Sequence, residues 1–501
     1  MGKTTTSRQQ RPLLLAIDQG TTGTKAIVID DRLRVLAEGM REFPQIYPRP
    51  GLIEHDPEAI WKSVRLAVRD ALRQAKISAG RLAAVGITNQ RETTILWDRR
   101  TGKPIHNAIV WQDRRTARLC DQLRRRGAEK RARRITGLLF DPYFSGTKIP
   151  WILDRVTGAR RRAQDGKLCF GTVDSFLLFR LTGGLVHATD VSNASRTLLL
   201  NLRRNSWDAE MLKLLRVPQQ ILPEVLDNDA VFGKTKGVGF LPDGLPITGM
   251  IGDQQSALFG QACFRVGEAK LTYGTGAFLL VNTGEQFVPS KHGLLTTSAW
   301  RLKGKTTYAL EGSSFIAGAI VQWLRDGLGI IKDSSEVERL AASVPDSGDV
   351  TFVPALTGLG APHWRPDARG LISGITRGTT AAHLARAALE GIAFQNNDLI
   401  NSMTRDLGRP IRALKVDGGA AANNLLLQFQ ADLARIQIVR PKVLSTTALG
   451  AALLAGLAVG VFPSLSTIRE HWREDRRFRS AMRPRARQQH LERWAAAIEK
   501  T

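Results

Sequence analysis

At 501 residues the chain exceeds one ordinary core and suits two domains of roughly 250 residues each. With 43% hydrophobic and 24% charged residues it is a globular chain, and its longest apolar stretch, 448–462, broken by Gly450, Gly456 and Gly460, is too short to span a bilayer, so no membrane insertion is expected. The net charge of +26 (72 Lys and Arg against 46 Asp and Glu) favours anionic substrates, but no recognisable nucleic-acid module accompanies the Arg-rich tracts 124–134, 160–162 and 473–487, which read as solvated surface with no specific nucleic-acid partner.

Residues 1–11 read as a disordered tail, since MGKTTT fits an acylation pattern and the end of a P-loop only formally. The stretch 13–30, LLLAIDQGTTGTKAIVID, organises the rest of the chain. An apolar strand stops at Asp18, a polar turn spans Gly20 to Thr24, and a second apolar strand follows. Gly20 and Gly23 let backbone amides approach an anion, Thr21 and Thr22 add hydroxyl donors, and Lys25 adds positive charge. The turn therefore reads as a phosphate-binding hairpin, with an ordinary hairpin as the alternative. Asp18 would face a hydrated Mg²⁺, an ion that takes only one or two carboxylates.

Asp56 and Pro57 open a helix with an apolar face at Ile60, Val64, Ala67, Val68 and Ala71. Strand 83–87 then delivers Asn89, Gln90, Arg91 and Glu92 at its C-terminal end, the edge where open α/β sheets hold ligands. Arg91 is a fixed donor fork and Glu92 a pure acceptor, a pair suited to a polyol whose hydroxyls do both, or else a surface ion pair. Trp111 and Tyr143 are either flat pocket walls or core. Strand 247–251 ends at Gly252 ahead of a helical run, so Asp253 is either an N-cap or a carboxylate facing a cleft, able to act as a base.

The second half repeats the opening design. Residues 271–282, LTYGTGAFLLVN, place Gly274, Thr275 and Gly276 between two apolar strands, and 414–424, LKVDGGAAANN, run a strand into Gly418 and Gly419 with Asn423 starting a helix. Helices are expected over 313–328, 381–407, 423–436 and 446–460. Strands alternating with helices in both halves give an α/β class with mixed sheets covered by helices. Two hairpins in two halves suggest similar domains, 12–252 and 253–501, facing one nucleotide across an interdomain cleft. Cys120, Cys169 and Cys263 lack any paired spacing and, with no signal-peptide pattern, predict a reducing, cytoplasmic setting.

The hairpin pair and the DGG segment resemble the actin, hexokinase and chaperone ATPase superfamily, whose domains are ribonuclease-H-like. The segments EHDP (54–57), GITNQRETT (86–94), WQDRR (111–115), DPYFSGTK (141–148), GDQQSALFGQ (252–261), YALEG (308–312), GLGAPHW (358–364) and TALGAA (447–452) resemble one branch of it, the FGGY carbohydrate kinases, and within them the members that act on glycerol. The resemblance spans nearly the whole chain. It implies phosphoryl transfer from ATP, with Mg²⁺, to glycerol, in a homodimer or homotetramer. It implies that Arg91, Glu92, Tyr143 and Asp253, with Gln254, bind the glycerol hydroxyls, that Trp111 and Phe278 line its hydrocarbon edge, and that Asp253 is the general base. Thr275, Gly318, Gln322, Gly419 and Asn423 would contact the nucleotide beside Thr21, Thr22, Gly23 and Lys25. The alternatives are a kinase of the same family for another polyol or a ketose, and a non-catalytic ATP switch. Residues 236–243, KGVGFLPD, lack the GGKGGTR-like loop with which many bacterial relatives bind fructose 1,6-bisphosphate, and DAVF (229–232) lacks the phosphorylatable histidine of others, so neither control is expected.

Overall fold

In the computed structural model, which describes residues 11–365 and 367–501, two mixed β-sheets carry the chain and helices cover them. The expected tail and its MGKTTT motif lie outside the described residues, apart from Arg11. Strands β1 (Leu13–Gln19) and β2 (Gly23–Asp30) pair antiparallel with Asp18 opposite Lys25, and β3 (Val35–Glu42) extends them. Helix α1 (Pro57–Ala75) starts where the sequence expects it: the Asp56 carboxylate accepts from the Glu58 amide, and the stripe Ile60, Val64, Ala67, Val68 and Ala71 is buried. Strands β4 (Leu82–Asn89), β5 (Val231–Lys234) and β6 (Pro246–Gly252) complete the order β5-β6-β4-β1-β2-β3. Because β1, β4 and β6 are parallel, Asp18, Asn89 and Gly252 emerge at one edge, where a ligand is read.

The second sheet follows helix α2 (Asp253–Gly260) and starts with a like hairpin, β7 (Ala269–Tyr273) and β8 (Ala277–Gly284). Strands β9 (Leu295–Leu302) and β10 (Lys305–Ser314) join on one side. After helices α3 (Gly318–Asp326) and α4 (Ala381–Leu407), strand β11 (Ala413–Asp417) pairs parallel to β7. Helix α5 (Asn424–Ala434), strand β12 (Gln437–Pro441), helix α6 (Thr446–Ala458) and strand β13 (Glu474–Phe478) follow, giving the order β9-β10-β8-β7-β11-β12-β13. The helix expected over 313–328 is corrected by the structure: Ser313 and Ser314 continue the β10 ladder opposite Phe278 and Ala277, and helix begins only at Gly318. Helix α4 has the expected bounds and stops at Gly408, in the left-handed conformation at φ +66°.

Helix α6 leaves the second sheet to pack on β1, β4 and β6 and to cross α2. Glycines permit this close approach. A Cβ on Gly450 would collide with the Ser256 carbonyl and one on Gly86 with the Ala451 carbonyl. The segment whose glycines break its apolar run is thus a buried helix binding the two domains together.

Candidate active site

The first turn closes through a 2.9 Å bond from the Gly20 amide to the Gly23 carbonyl. Thr21 Oγ1 accepts from Trp111 Nε1 at 2.9 Å, which draws the aromatic wall against the turn. Thr22 is exposed at the tip, and Gly23 is buried against β3, where a Cβ would lie 2.9 Å from the Arg41 carbonyl. The Asp18 carboxylate accepts no hydrogen bond among the described residues. Burial, then the nearby Asp253 carboxylate, push its carboxyl up to about 7 against the opposing pull of Lys25. Lys25 itself turns to Glu38 at 3.0 Å and to Ser445 Oγ at 3.1 Å, and does not line the cavities of the cleft.

Behind the turn lies a buried charge network. Arg91 grips both oxygens of Glu311, at 2.5 and 3.0 Å, and its Nε meets Asp253 Oδ1 at 3.0 Å. Arg196 bridges Glu311 at 2.9 Å and Glu92 at 2.7 Å. Burial alone would raise the Glu311 carboxyl, but Arg196 and Arg91 bring it down to about 2. Glu92, with less compensation, is held above the ordinary carboxylate range by burial. The forks of both arginines are thereby fixed before any substrate arrives. Glu92 also adopts φ +61°, rare for a side chain of its kind, and its carbonyl is held by Ser145 Oγ at 2.9 Å and by Lys148 Nζ at 3.4 Å. Lys148 reaches the Tyr143 carbonyl as well, at 2.8 Å, and burial lowers its ammonium to about 7.

Trp111 meets Tyr143 and Phe278 edge to face, with centroids 5.6 and 6.2 Å away. These rings, with Thr21, Arg91, Glu92, Asp253, Gln254 and the Gly274–Gly276 turn, enclose a cavity of about 150 Å³. Asp253 is the first residue of α2, not its cap, which is Gly252. Its Oδ1 takes the Gln254 amide at 2.7 Å and Arg91, while Oδ2 accepts no hydrogen bond among the described residues. Gln254 Oε1 accepts from the buried Lys270 at 2.5 Å.

The second turn rests on backbone. Ala317 and Ala319 amides bond the Thr275 carbonyl at 2.8 and 3.1 Å, and the Gly318 amide bonds that of Gly274 at 2.9 Å. Gly274 and Thr275 also line a neighbouring cavity of about 420 Å³, together with Gly318, Gln322, Gly419 and Asn423. Every nucleotide residue expected in the second half therefore meets in one pocket, which shares a wall with the small one. Asn423 caps α5, accepting the Leu426 amide at 2.8 Å.

Arg196, Glu311 and Lys148 escape the sequence reading as site residues. Glu311 carries a signal, a lone carboxylate in the apolar strand TTYALEGSS that requires a buried cation. Nothing in the order of residues says which arginine supplies it.

A two-domain α/β fold that brings the Asp253 carboxylate, a small aromatic-walled cavity and a larger pocket against two glycine turns has the make-up of a kinase. Residues 13–260 match the FGGY family of carbohydrate kinases, N-terminal domain, and residues 269–459 match the C-terminal domain of the same family. The chain belongs to the FGGY family of carbohydrate kinases. It is 57% identical over 489 residues to a glycerol kinase of Myxococcus xanthus, covering 97% of this chain and 99% of that one, and 55% identical over 488 residues to a glycerol kinase of Bdellovibrio bacteriovorus, with the same coverage. The fold superposes on the crystal structure of Plasmodium falciparum glycerol kinase with ADP at a TM-score of 0.89 and 40% identity, covering 98% of both chains. A xylulose kinase from Lactobacillus acidophilus shares the fold at a TM-score of 0.85 and 24% identity over 97% of both chains.

Proposed function

We propose that this chain is an ATP:glycerol 3-phosphotransferase, producing sn-glycerol 3-phosphate and ADP. The observation that carries this reading is the shared wall: Gly274 and Thr275 line both the small aromatic-walled cavity and the larger nucleotide-sized pocket. The relatives named glycerol kinase, identical at more than half of positions over nearly the full length, support the choice of acceptor. The small cavity, floored by Arg91 and Glu92 and walled by three aromatic rings, favours a three-carbon polyol over a ketose.

Asp253 is the base. Arg91 and the Gln254 amide fix one of its oxygens, and the other faces the cavity to take the hydroxyl proton as the acceptor oxygen attacks phosphorus, help worth about 10² to 10⁴ in rate. Arg91, Glu92 and Tyr143 orient the polyol, and Trp111 and Phe278 cover its carbon edge. Thr21, Thr22 and Gly23 on one turn and Thr275 on the other offer donors to the phosphates, while Gly318, Gln322, Gly419 and Asn423 shape the adenosine pocket. Lys25 acts on this charge at longer range, through its pull on Asp18.

The Asp18 carboxyl suits Mg²⁺: it accepts no hydrogen bond among the described residues, is flanked by a second carboxylate, and is held up by burial in a way that a bound cation would relieve. The ion, when bound, neutralises charge on the phosphoryl oxygens. Three buried, unpaired cysteines support a cytoplasmic setting, and among the described residues no helix is long and apolar enough to cross a membrane.

Asp253→Asn should keep binding of glycerol and of an ATP analogue, measured by calorimetry, while ADP release falls by at least about 10²-fold. Near-normal release would remove the base assignment. A panel of polyols and ketoses assayed by the same release tests the acceptor.

A further inference from the structure

Away from the cleft, a cavity of about 390 Å³ lies where both domains meet, within the size range of small-molecule sites. The turn after β2, Arg32–Val35, forms one wall, and 441–443 with 468–473 form the other. β2 is eight residues long, so this turn sits about 25 Å from the phosphate turn at the opposite end of the strand. The floor is aliphatic: Leu33, Leu449, Leu453 and Ile468 close it from behind, and Val35 and Val443 carry its open apolar surface. Its wall is already formed: Trp472 donates to Gln261 Oε1 at 3.2 Å and carries the Lys415 ammonium 4.1 Å from its ring.

The rim has the opposite character. Arg32, Lys442 and Arg473 are exposed, none pairs with a carboxylate among the described residues, and no Asp or Glu lines the cavity. Arg34, next to them, is by contrast held by Asp30 at 2.7 Å. An aliphatic floor under uncompensated like charges leaves two costs that one kind of ligand removes together, by covering apolar surface and bringing a negative head to the rim.

We propose that this cavity binds an amphipathic anion, a single alkyl chain with a phosphate or carboxylate head, the chain on Val35 and Val443 and the head between Lys442 and Arg473. Its occupant bridges the two domains outside the cleft, so the site is separate from the phosphotransfer chemistry.

The test is calorimetry on the full chain with glycerol and a non-hydrolysable ATP analogue saturating the cleft. Octyl phosphate, octyl glucoside and inorganic phosphate are titrated below any micelle concentration, and phosphatidylglycerol vesicles in a separate run. Octyl phosphate is expected to bind at least ten-fold tighter than either other probe. The exposed pair Lys442→Gln and Arg473→Gln should weaken it at least ten-fold while glycerol phosphorylation stays unchanged. Equal affinity for octyl glucoside, unchanged affinity in the double variant, or binding seen only to phosphatidylglycerol vesicles would each overturn the proposal.

Discussion

The two Gly-Thr turns share a pattern and stand on unlike supports. In the first, the carbonyls of Gly20 and Thr21 are held by side-chain amides: Gln19 and Gln90 donate to Gly20 at 2.7 and 3.2 Å, and Gln45 donates to Thr21 at 3.1 Å. In the second, the carbonyls of Gly274 and Thr275 are held by backbone amides at the start of α3. The charge differs too. Two residues before the first glycine stands Asp18, and the matching place before Gly274 holds Thr272, whose hydroxyl accepts from Lys270 at 2.8 Å. On the proposed function, a repeated motif specifies where phosphate approaches, while its neighbours decide whether a turn contributes charge or only shape.

The largest effect should come from erasing that charge asymmetry. Asp18→Asn is expected to lower kcat by about 10² to 10³ with the KM for ATP within a few-fold, the scale of losing one preorganised electrostatic contact. Thr272→Val should cost less than about ten-fold; an equal loss would make the turns chemically equivalent. Shape is probed next. A Cβ on Gly276 would lie 2.5 Å from the Ser314 carbonyl, whereas one on Gly20 would lie 3.2 Å from the Gly23 carbonyl within its own turn. Gly276→Ala should therefore raise the KM for ATP by about ten-fold or more, since small displacements of positioning groups are costly, and Gly20→Ala should do less. Lys148→Met touches neither turn. Losing its bonds to the Glu92 and Tyr143 carbonyls should raise the KM for glycerol by about ten-fold and leave that for ATP unchanged, as steady-state titration of each substrate would read.

Both turns, the strand ending at Asn89 and the carboxylate at Asp253 were legible because glycine, strand alternation and an acidic residue at a strand end are local signals. On residue type alone the Arg91 and Glu92 pair reads sooner as a surface ion pair, and the structure makes it part of a buried network instead. What separates the two readings is non-local. Arg196 and Glu311 arrive from elements more than a hundred residues away from Glu92 or from each other. The misplaced helix start at Ser313 has a similar origin, since small polar residues leave the local preference weak and the ladder opposite Phe278 decides. Among the described residues, the extended register of β10 is also what carries Glu311 into contact with Arg91.

The side-chain support of the first turn brings a further, smaller consequence that the second turn lacks. Gln45 and Gln90 both rest on the buried His55, whose Nε2 meets Gln45 Oε1 at 2.7 Å and whose Nδ1 meets the Gln90 amide nitrogen at 3.4 Å. That arrangement fits a neutral ring with its proton on Nε2, because a second proton would set Nδ1–H against the Gln90 donor. Burial lowers this histidine to about 4, from 6.5. With the folded pKa depressed, the unfolded chain binds the proton first as the pH falls. The stability held in this site is full above about pH 6.5 and is lost progressively toward pH 4, up to about 3 kcal/mol for that shift. His187, also lowered to about 4 by burial, bonds the Phe170 carbonyl and adds to the same global slope, so a melting curve alone does not isolate the turn. Hydrogen exchange does. Corrected for intrinsic rate, exchange at residues 20–24 should rise between pH 6.5 and 4.5 while 274–276 stay protected, and His55→Gln should flatten that rise. A parallel loss of protection in both turns would mean that acid loosens the whole cleft and that their supports do not differ in kind.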